Sequence, residues 1–377
     1  MHIVFLSNEY PLWTSGGLGT FLQTFGTTLV QHGHKVHIVG INTISKREVL
    51  KDDGVEIIRL PKNKSVIPNF LYNSKAFNKE LRSIHKKTKI DIIETPESGL
   101  ALLSKRHPAK KIIRLHGGHH FFSEAERRGI NRRKAILEKR SFRKADGFIA
   151  ISEYVKEHTE KYLNYRNKPV RIIRNMIDTD VEIPKVTERL NHILFAGTIC
   201  EKKGVRQLLE AFKIVRTQYP EVRLDLYGRD WFFPNGDSYI EMLHNKYDAS
   251  FFKNVTFHGS VSRTLLTTKY AEASICVFPS HMETQGLVSL EAMLLYKPVV
   301  FSKYGPGPET IIHKETGLLC DVYNPADIAE CICWYLEAPN KAKQIGKNAG
   351  ELVRQRYNKT KLLEENISFY KHIQTDG

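Results

Sequence analysis

Ile275-Cys276-Val277-Phe278-Pro279-Ser280-His281-Met282-Glu283-Thr284-Gln285-Gly286-Leu287-Val288-Ser289-Leu290-Glu291-Ala292-Met293 reads as a strand, a loop and a helix in succession. Ile275–Phe278 is a short, continuous apolar run, the pattern of a strand buried on both faces. Pro279 and Ser280 end it, and Gly286 opens a helix predicted over Leu287–Tyr296. Glu283 lies in the loop. Glu291 lies on the helix, roughly 7–8 Å from its start at 1.5 Å per residue. The first N–H groups of that helix, at Leu287 and Val288, lack intrahelical acceptors and can hold the oxygens of an anion. Carboxylates on either side of such an anion can accept hydrogen bonds from sugar hydroxyls. Acidic residues near a helix N-terminus also favour its dipole without any ligand. Glu291, however, is set among Leu290, Ala292 and Met293, where a bare carboxylate is costly. A hydroxyl partner would offset that cost.

The same alternation runs outward through the chain. Ile3–Leu6, Val36–Ile41, Val55–Leu60, Ile90–Glu94, Lys111–Leu115, Gly147–Ile151 and Val170–Arg174 read as buried strands in the first half. Ile193–Ala196, Val222–Tyr227, Val255–His258, Pro298–Phe301 and Gly317–Cys320 join Ile275–Phe278 in the second. Helical patterns separate them, such as Leu18, Phe21, Leu22, Phe25 and Leu29 at helical spacing. Strand and helix in alternation imply parallel sheets covered on both faces. The expected fold is α/β, two doubly wound Rossmann-like domains facing a cleft. The polar stretch Asn175–Glu188, with Pro184, marks the boundary. This gives an N-terminal domain over 1–178, a C-terminal domain over 179–356, and a final helical stretch over 357–377 that has no following strand and is free to pack back on the first domain.

Composition agrees with two folded domains. The 377 residues are 41% hydrophobic and 26% charged, enough for a core and too apolar for bulk disorder. The formal charge of +16 is uneven. Residues 1–186 carry 34 Lys and Arg against 19 Asp and Glu, whereas residues 187–377 carry 23 against 22. Domains of such different character are expected to meet different partners. The basic clusters include Lys105-Arg106, Lys110-Lys111, Arg127-Arg128, Arg132-Arg133-Lys134, Lys139-Arg140 and Arg143-Lys144. Several fall on one predicted helix, Ser123–Ala145, with Ala135, Ile136 and Phe142 as its packing residues. An anionic lipid surface fits this charge, and so does a plain solvated surface. Nucleic acid is disfavoured, since no zinc-finger or RNP signature accompanies the charge. The five cysteines lie in the second half without CxxC spacing and read as buried, reduced thiols of a cytosolic protein. The four-residue apolar stretch Ile3–Leu6 is too short for a signal-peptide core, and no apolar run reaches membrane-spanning length.

Three further loops follow predicted strands, where ligands of parallel sheets bind. Gly16-Gly17-Leu18-Gly19 suits either a phosphate-facing turn or close helix packing. It lacks the third glycine of the dinucleotide fingerprint. His116-Gly117-Gly118-His119-His120 places His116 nearest a strand end; its histidines have no Asp, Glu or Cys partner at a metal-site spacing. Gly197-Thr198-Ile199-Cys200-Glu201-Lys202-Lys203-Gly204 sets a lysine just before a helix N-terminus, where it can neutralise a diphosphate or stay solvated.

Pro279-Ser280-x-x-Glu283-x-x-Gly286-Leu287-x-x-x-Glu291-Ala292-Met293, followed by Lys297-Pro298-Val299-Val300 and Glu315-Thr316-Gly317-Leu318-Leu319, resembles retaining glycosyltransferases of family 4, with the GT-B fold and a Glu-x7-Glu signature. Arg174-Asn175-Met176-Ile177-Asp178 is similar to the interdomain segment of that family. The resemblance implies that Glu283 binds hydroxyls of the donor sugar and Glu291 the ribose. It further implies that Lys203 neutralises the diphosphate with the Gly286, Leu287 and Val288 backbone, that His116 contacts the sugar, that Gly16 and Gly17 face phosphate or acceptor, and that Val261 lines the base. Thr198 stands where the family usually has Arg, so Arg206 becomes a candidate helper. Thr284-Gln285-Gly286 replaces the usual Gly-Phe-Gly of the sugar pocket, and Met176 replaces a glycine between the domains.

The expected function is transfer of a sugar from a nucleotide diphosphate sugar, as co-substrate and without metal or other cofactor, to a glycan or lipid-linked acceptor in cell-surface polysaccharide synthesis. The expected location is cytoplasmic, peripheral at the inner membrane face. Asp178-Thr179-Asp180 mimics a metal-binding Asp-x-Asp but sits at the domain junction and reads as linker. The competing expectations are a noncatalytic nucleotide-sugar sensor and a nucleotide-sugar epimerase.

Overall fold

The computed structural model describes residues 1–13, 16–125 and 129–375. The chain divides into two compact units, Met1–Asp178 with Lys359–Gly377, and Thr179–Asn358. The first unit holds β1 (His2–Leu6), β2 (Lys35–Asn42), β3 (Glu48–Asp52), β4 (Val55–Pro61), β5 (Ile92–Thr95), β6 (Lys110–Leu115), β7 (Gly147–Ala150) and β8 (Val170–Ile172). They form one sheet in the order β3-β4-β2-β1-β5-β6-β7-β8. The second holds β9 (His192–Ala196), β10 (Arg223–Tyr227), β11 (Val255–Gly259), β12 (Ile275–Phe278), β13 (Val299–Ser302) and β14 (Leu318–Cys320), in the order β11-β10-β9-β12-β13-β14. These are two Rossmann-like α/β sheets. Central strands such as β1, β7, β9 and β12 are buried at every position, which explains why they read as unbroken apolar runs rather than alternating ones.

Among the described residues the strand pairs are parallel except β3 with β4, which are antiparallel. β3 escaped the sequence reading because Glu48-Val49-Leu50-Lys51-Asp52 is largely exposed at the sheet edge and carries almost no hydrophobic signal. The helix predicted over Ser123–Ala145 is two helices, His119–Ala125 and Arg132–Phe142. Asn131 restarts the chain as an N-cap, its Oδ1 accepting from the Lys134 N–H at 3.2 Å. The second helix turns Ala135, Glu138, Ser141 and Phe142 inward. Ile136, expected to pack, is 63% exposed, because it lies about 100° round the helix from Ala135.

Part of the expected basic surface is interior. The Lys111 ammonium donates to the carbonyls of His107 (2.8 Å) and Ala109 (3.1 Å). Lys144 donates to those of Leu100, Ala101 and Leu103. Both lysines satisfy buried carbonyls and cannot meet an external partner. Arg127-Arg128 lie outside the described residues. All five cysteines are buried and free.

The helix Lys359–Thr375 belongs to the first unit through a buried polar cluster. Arg114, fully buried, donates from Nε to Glu94 Oε1 at 2.7 Å and from Nη2 to Asn366 Oδ1. Tyr370 donates to Glu94 Oε2 at 2.6 Å. Asp178 Oδ1 pairs with Lys359 at 2.6 Å where that helix begins. Among the described residues no helix is long and apolar enough to cross a membrane.

Candidate functional site

The strand order of the second unit reverses between β9 and β12. Such a switch point opens a crevice beyond the carboxyl ends of the two strands. The loops that leave there are 197–204 and 279–286. Gly204 adopts φ 70°, and a Cβ on it would lie 1.9 Å from the Pro279 carbonyl oxygen. Only glycine permits that approach. The His281 N–H donates to the Lys202 carbonyl at 3.0 Å and joins the loops further.

This contact brings Lys203 onto Glu283, ammonium to Oε1. The Ser280 hydroxyl donates to the same oxygen at 3.0 Å. The side chains retain 24% and 13% exposure, respectively, for Lys203 and Glu283. Burial alone would raise the Glu283 carboxyl. The charge and hydrogen bond of Lys203, with help from Lys202 and Ser280, outweigh it and hold the group below the usual carboxylate range. The Glu283 carboxylate is therefore held in its charged form by the ammonium beside it.

Gly286 caps the next helix, Leu287–Leu294, with φ 74°. A Cβ there would meet the Phe301 ring at 2.5 Å. The Ser289 and Leu290 N–H groups turn back to the Gly286 carbonyl at 3.0 and 3.4 Å. The N–H groups of Leu287 and Val288 are left as first-turn donors. Glu291 stands one turn beyond Leu287, on the same face. Burial pushes its carboxyl up, and Arg263, with Nη2 at 3.7 Å, pulls it back in part. Arg263 opens the helix Arg263–Glu272, capped by Ser262, so the turn Gly259-Ser260-Val261 leads directly to Glu291's partner.

Arg206 is committed elsewhere. It donates to Glu201 from Nε at 3.0 Å and from Nη2 at 2.6 Å. Gln207 and Tyr239 add bonds to Glu201 of 2.7 Å each. Burial opposes ionisation of Glu201, but these three partners bring its carboxyl down to about 2. Arg206 thus closes a structural fork rather than standing ready as a second cation. Thr198 follows Gly197, which has φ 144°, at the end of β9.

In the first unit, His116 follows β6 with its Nδ1 3.4 Å from Asn175 Nδ2 and its ring 5.6 Å from that of Phe21. Burial first, then Arg114, lowers it to about 3, so the imidazole is neutral. Phe21 lies on the helix Gly17–Gln31, capped by Gly16. A Cβ on Gly16 would meet the Glu9 carboxylate at 2.4 Å, so an acidic group occupies the side of this turn. His119 and His120 are structural. Nε2 of His119 accepts from the Asn131 N–H at 2.8 Å, and His120 Nδ1 bonds Glu138. Among the described residues no three His, Cys, Asp or Glu side chains are grouped to hold a metal ion.

Residues 176–352 match the family described as Glycosyl transferases group 1, and residues 15–181 match Glycosyltransferase Family 4. Both families are glycosyltransferases, and between them they take in residues 15–352 of a chain with the GT-B fold. A D-rhamnosyltransferase of Pseudomonas aeruginosa is 31% identical to it over 235 residues, 58% of this chain and 57% of that one. Among solved structures, sucrose-phosphate synthase from Thermosynechococcus elongatus superposes with a TM-score of 0.85 at 22% identity, over 100% of both chains. Anabaena Alr3699/HepE, solved in complex with UDP-glucose, does so with a TM-score of 0.76 at 17% identity, over 98% of this chain and 99% of that one.

In this glycosyltransferase the structure gathers Lys203, Glu283, Gly286, Leu287, Val288 and Glu291 around the switch point of the second unit. His116, Gly16 and Gly17 belong to the first unit. Sequence reasoning missed Arg263, the residue nearest Glu291 in charge. Its only signal was a cation just after the Gly259-Ser260-Val261 turn. It missed Glu97 as well. This side chain is 3% exposed, and its Oε1 has no hydrogen-bond partner among the described residues. A Cβ on Gly118 would meet the Glu138 carboxylate at 2.3 Å and Glu97 Cβ at 3.0 Å, so the two acids pack beneath the His116 loop.

Proposed function

We propose that the chain transfers a sugar from a nucleoside diphosphate sugar, with retained anomeric configuration, to a glycan or lipid-linked acceptor of cell-surface polysaccharide. The observation that carries this reading is the Lys203–Glu283 pair beside the Leu287 and Val288 amides. An incoming diphosphate competes for Lys203. As the ammonium turns to the phosphate, Glu283 is released to accept from sugar hydroxyls, so one exchange supplies both contacts. Breaking the bond between the anomeric carbon and the phosphate oxygen builds charge on the leaving diphosphate. Lys203 and preorganised amides stabilise that charge. The acceptor oxygen bonds the anomeric carbon on the same face, and its proton passes to the departing phosphate. Glu291 is assigned the ribose and Val261 the base edge. His116, neutral, is assigned a hydrogen bond to the sugar, and Gly16-Gly17 the acceptor. The reading assigns no metal or other cofactor.

That a neighbour of the same fold was solved with UDP-glucose supports a nucleotide sugar as the partner. The basic first unit supports action at the cytoplasmic membrane face. The test is release of nucleoside diphosphate from a panel of uridine, guanosine and adenosine diphosphate sugars, with a cell-envelope extract as acceptor source. Turnover of one donor, lost in Lys203→Ala, is expected. Thr198 and the commitment of Arg206 to Glu201 favour a second reading, a noncatalytic sensor. It would bind a nucleotide sugar and turn over none of the panel.

A further inference from the structure

Two glycines in five residues make His116-Gly117-Gly118-His119-His120 rich in bare backbone amides. A loop of this kind can cradle an anion from outside. Here the amides turn inward, onto two carboxyl groups of the chain itself. The N–H groups of His116 and Gly117 face the Glu97 carboxyl. The His119 N–H donates to Glu138 Oε1, and the His120 N–H donates to Glu138 Oε2 at 3.2 Å. His120 Nδ1 bonds Oε2 as well. Gly117, at φ 90°, carries the chain from one acid to the other. Both acids are buried, whereas His116, Gly117 and Gly118 keep a partly open face. The loop therefore offers a ligand the His116 ring rather than these amides.

The acids come from separate elements that are fastened to each other. Glu97 lies between β5 and the short helix Gly99–Leu102, and Glu138 lies on the helix Arg132–Phe142. The Leu100 N–H donates to the Ser141 hydroxyl at 3.0 Å. The Lys144 ammonium, just past the second helix, takes the carbonyls of Leu100, Ala101 and Leu103. The buried lysine thus ties the segment of one acid to the helix of the other.

This arrangement is costly for a fold that needs only stability. Two carboxyl groups are packed side by side out of water, and Glu97 Oε1 finds no hydrogen-bond partner among the described residues. An apolar side chain would fill the same space more cheaply, but it would hold no amide. On its other side, His116 Nδ1 lies 3.4 Å from Asn175 Nδ2, a donor. Nδ1 therefore accepts, and the neutral ring carries its proton on Nε2.

We propose that Glu97 and Glu138 are positioning residues for His116: together they fix the loop amides, and so the point at which the Nε2–H group meets a sugar. Neither acid touches the substrate. The proposal rests on the transferase reading, which assigns the sugar contact to His116.

The experiment uses the full chain and compares two substitutions of one acid. Glu97→Gln keeps an acceptor oxygen, whereas Glu97→Met keeps the length and accepts nothing. Gly118→Ala is an independent variant, because its Cβ would press on both acids and lift the loop from them. Thermal unfolding shows which variants fold, and Gly118→Ala carries both readouts where Glu97→Met does not. The first readout is amide exchange, followed by mass spectrometry on peptides spanning 116–120. Exchange should quicken at least about tenfold in Glu97→Met and Gly118→Ala and stay near wild type in Glu97→Gln. The second is turnover of the uridine, guanosine and adenosine diphosphate sugars, with the cell-envelope extract. In the two disruptive variants kcat should fall about tenfold or more, with the donor KM within about twofold of wild type. Glu97→Gln should recover most of the loss. Wild-type exchange in the disruptive variants overturns the clamp. Quickened exchange with unchanged kcat, a loss carried by KM alone, or equal loss in Glu97→Gln and Glu97→Met overturns the positioning role. If the wild-type chain turns over no donor while exchange responds as stated, the transferase reading fails and takes the positioning role with it, and the clamp stands.

Discussion

Lys203 and Glu283, eighty residues apart in the chain, meet as a half-buried ion pair at the switch point of the second sheet. Each is the other's counter-charge, and each is assigned a different part of the donor. Lys203→Ala should therefore act twice. Loss of a preorganised cation at the leaving group is expected to lower turnover about 10²–10³-fold. It also strands a carboxylate, at a cost of about 1–3 kcal/mol, below that of a fully buried pair because Lys203 keeps partial exposure. Single-turnover rates and denaturant unfolding check the two effects; an unchanged chemical rate rejects the leaving-group role.

Glu291→Ala should weaken nucleotide affinity by about 1–3 kcal/mol through lost ribose hydrogen bonds. Arg263→Ala should weaken it as well, since it removes the charge that opposes the upward shift of Glu291. Calorimetry with nucleoside diphosphates reads both. Wild-type affinity in Glu291→Ala would show that the ribose lies elsewhere.

Gly204→Ala should be among the most damaging single-methyl additions to the second unit. The residue has φ 70°, and the new carbon would overlap the Pro279 carbonyl oxygen. A loss of at least about 2 kcal/mol is expected. The loops carrying Lys203 and Glu283 should then part, so nucleotide affinity falls even where the variant folds. Thermal unfolding and a nucleotide titration on the same sample test this.

Glu97 gives stability a pH dependence. Burial, then the adjacent Glu138, raises its carboxyl to about 8, against the weaker opposing pull of its own N–H and those of Gly117 and His116. The folded chain thus keeps a proton that the unfolded chain has lost above ordinary carboxylate pH. The contribution of this proton is complete below about pH 4.5, shrinks as pH rises, and is gone above about pH 8. Glu97→Gln keeps the neutral shape and removes the titration. Its unfolding midpoint should gain on wild type progressively from pH 5 to pH 8 and hold a constant lead above. A pH-independent difference would place the ionisation elsewhere.

Charge reversal at Arg132, Arg133 and Lys134 is expected to reduce binding to anionic vesicles several-fold, and raised salt should do the same. The interior lysines Lys111 and Lys144 have no part in this prediction. Sedimentation with neutral and anionic vesicles is the check, and equal retention on both removes the docking idea.

The sequence by itself determined the two parallel sheets and the loop-and-helix carrying Glu283, Gly286 and Glu291. These are local facts. A strand covered on both faces must be apolar throughout, and a glycine before a helix leaves amides free at its start, whatever surrounds them. The tertiary structure decided which charges meet. Nothing in the sequence spacing joins Lys203 to Glu283, Arg206 to Glu201, or Arg263 to Glu291. Those pairings depend on strand order and on how closely Gly204 lets two loops approach. For the same reason the surface reading of Lys111 and Lys144 failed. A lysine in a charge run looks solvated until the fold shows buried carbonyls within reach of its ammonium.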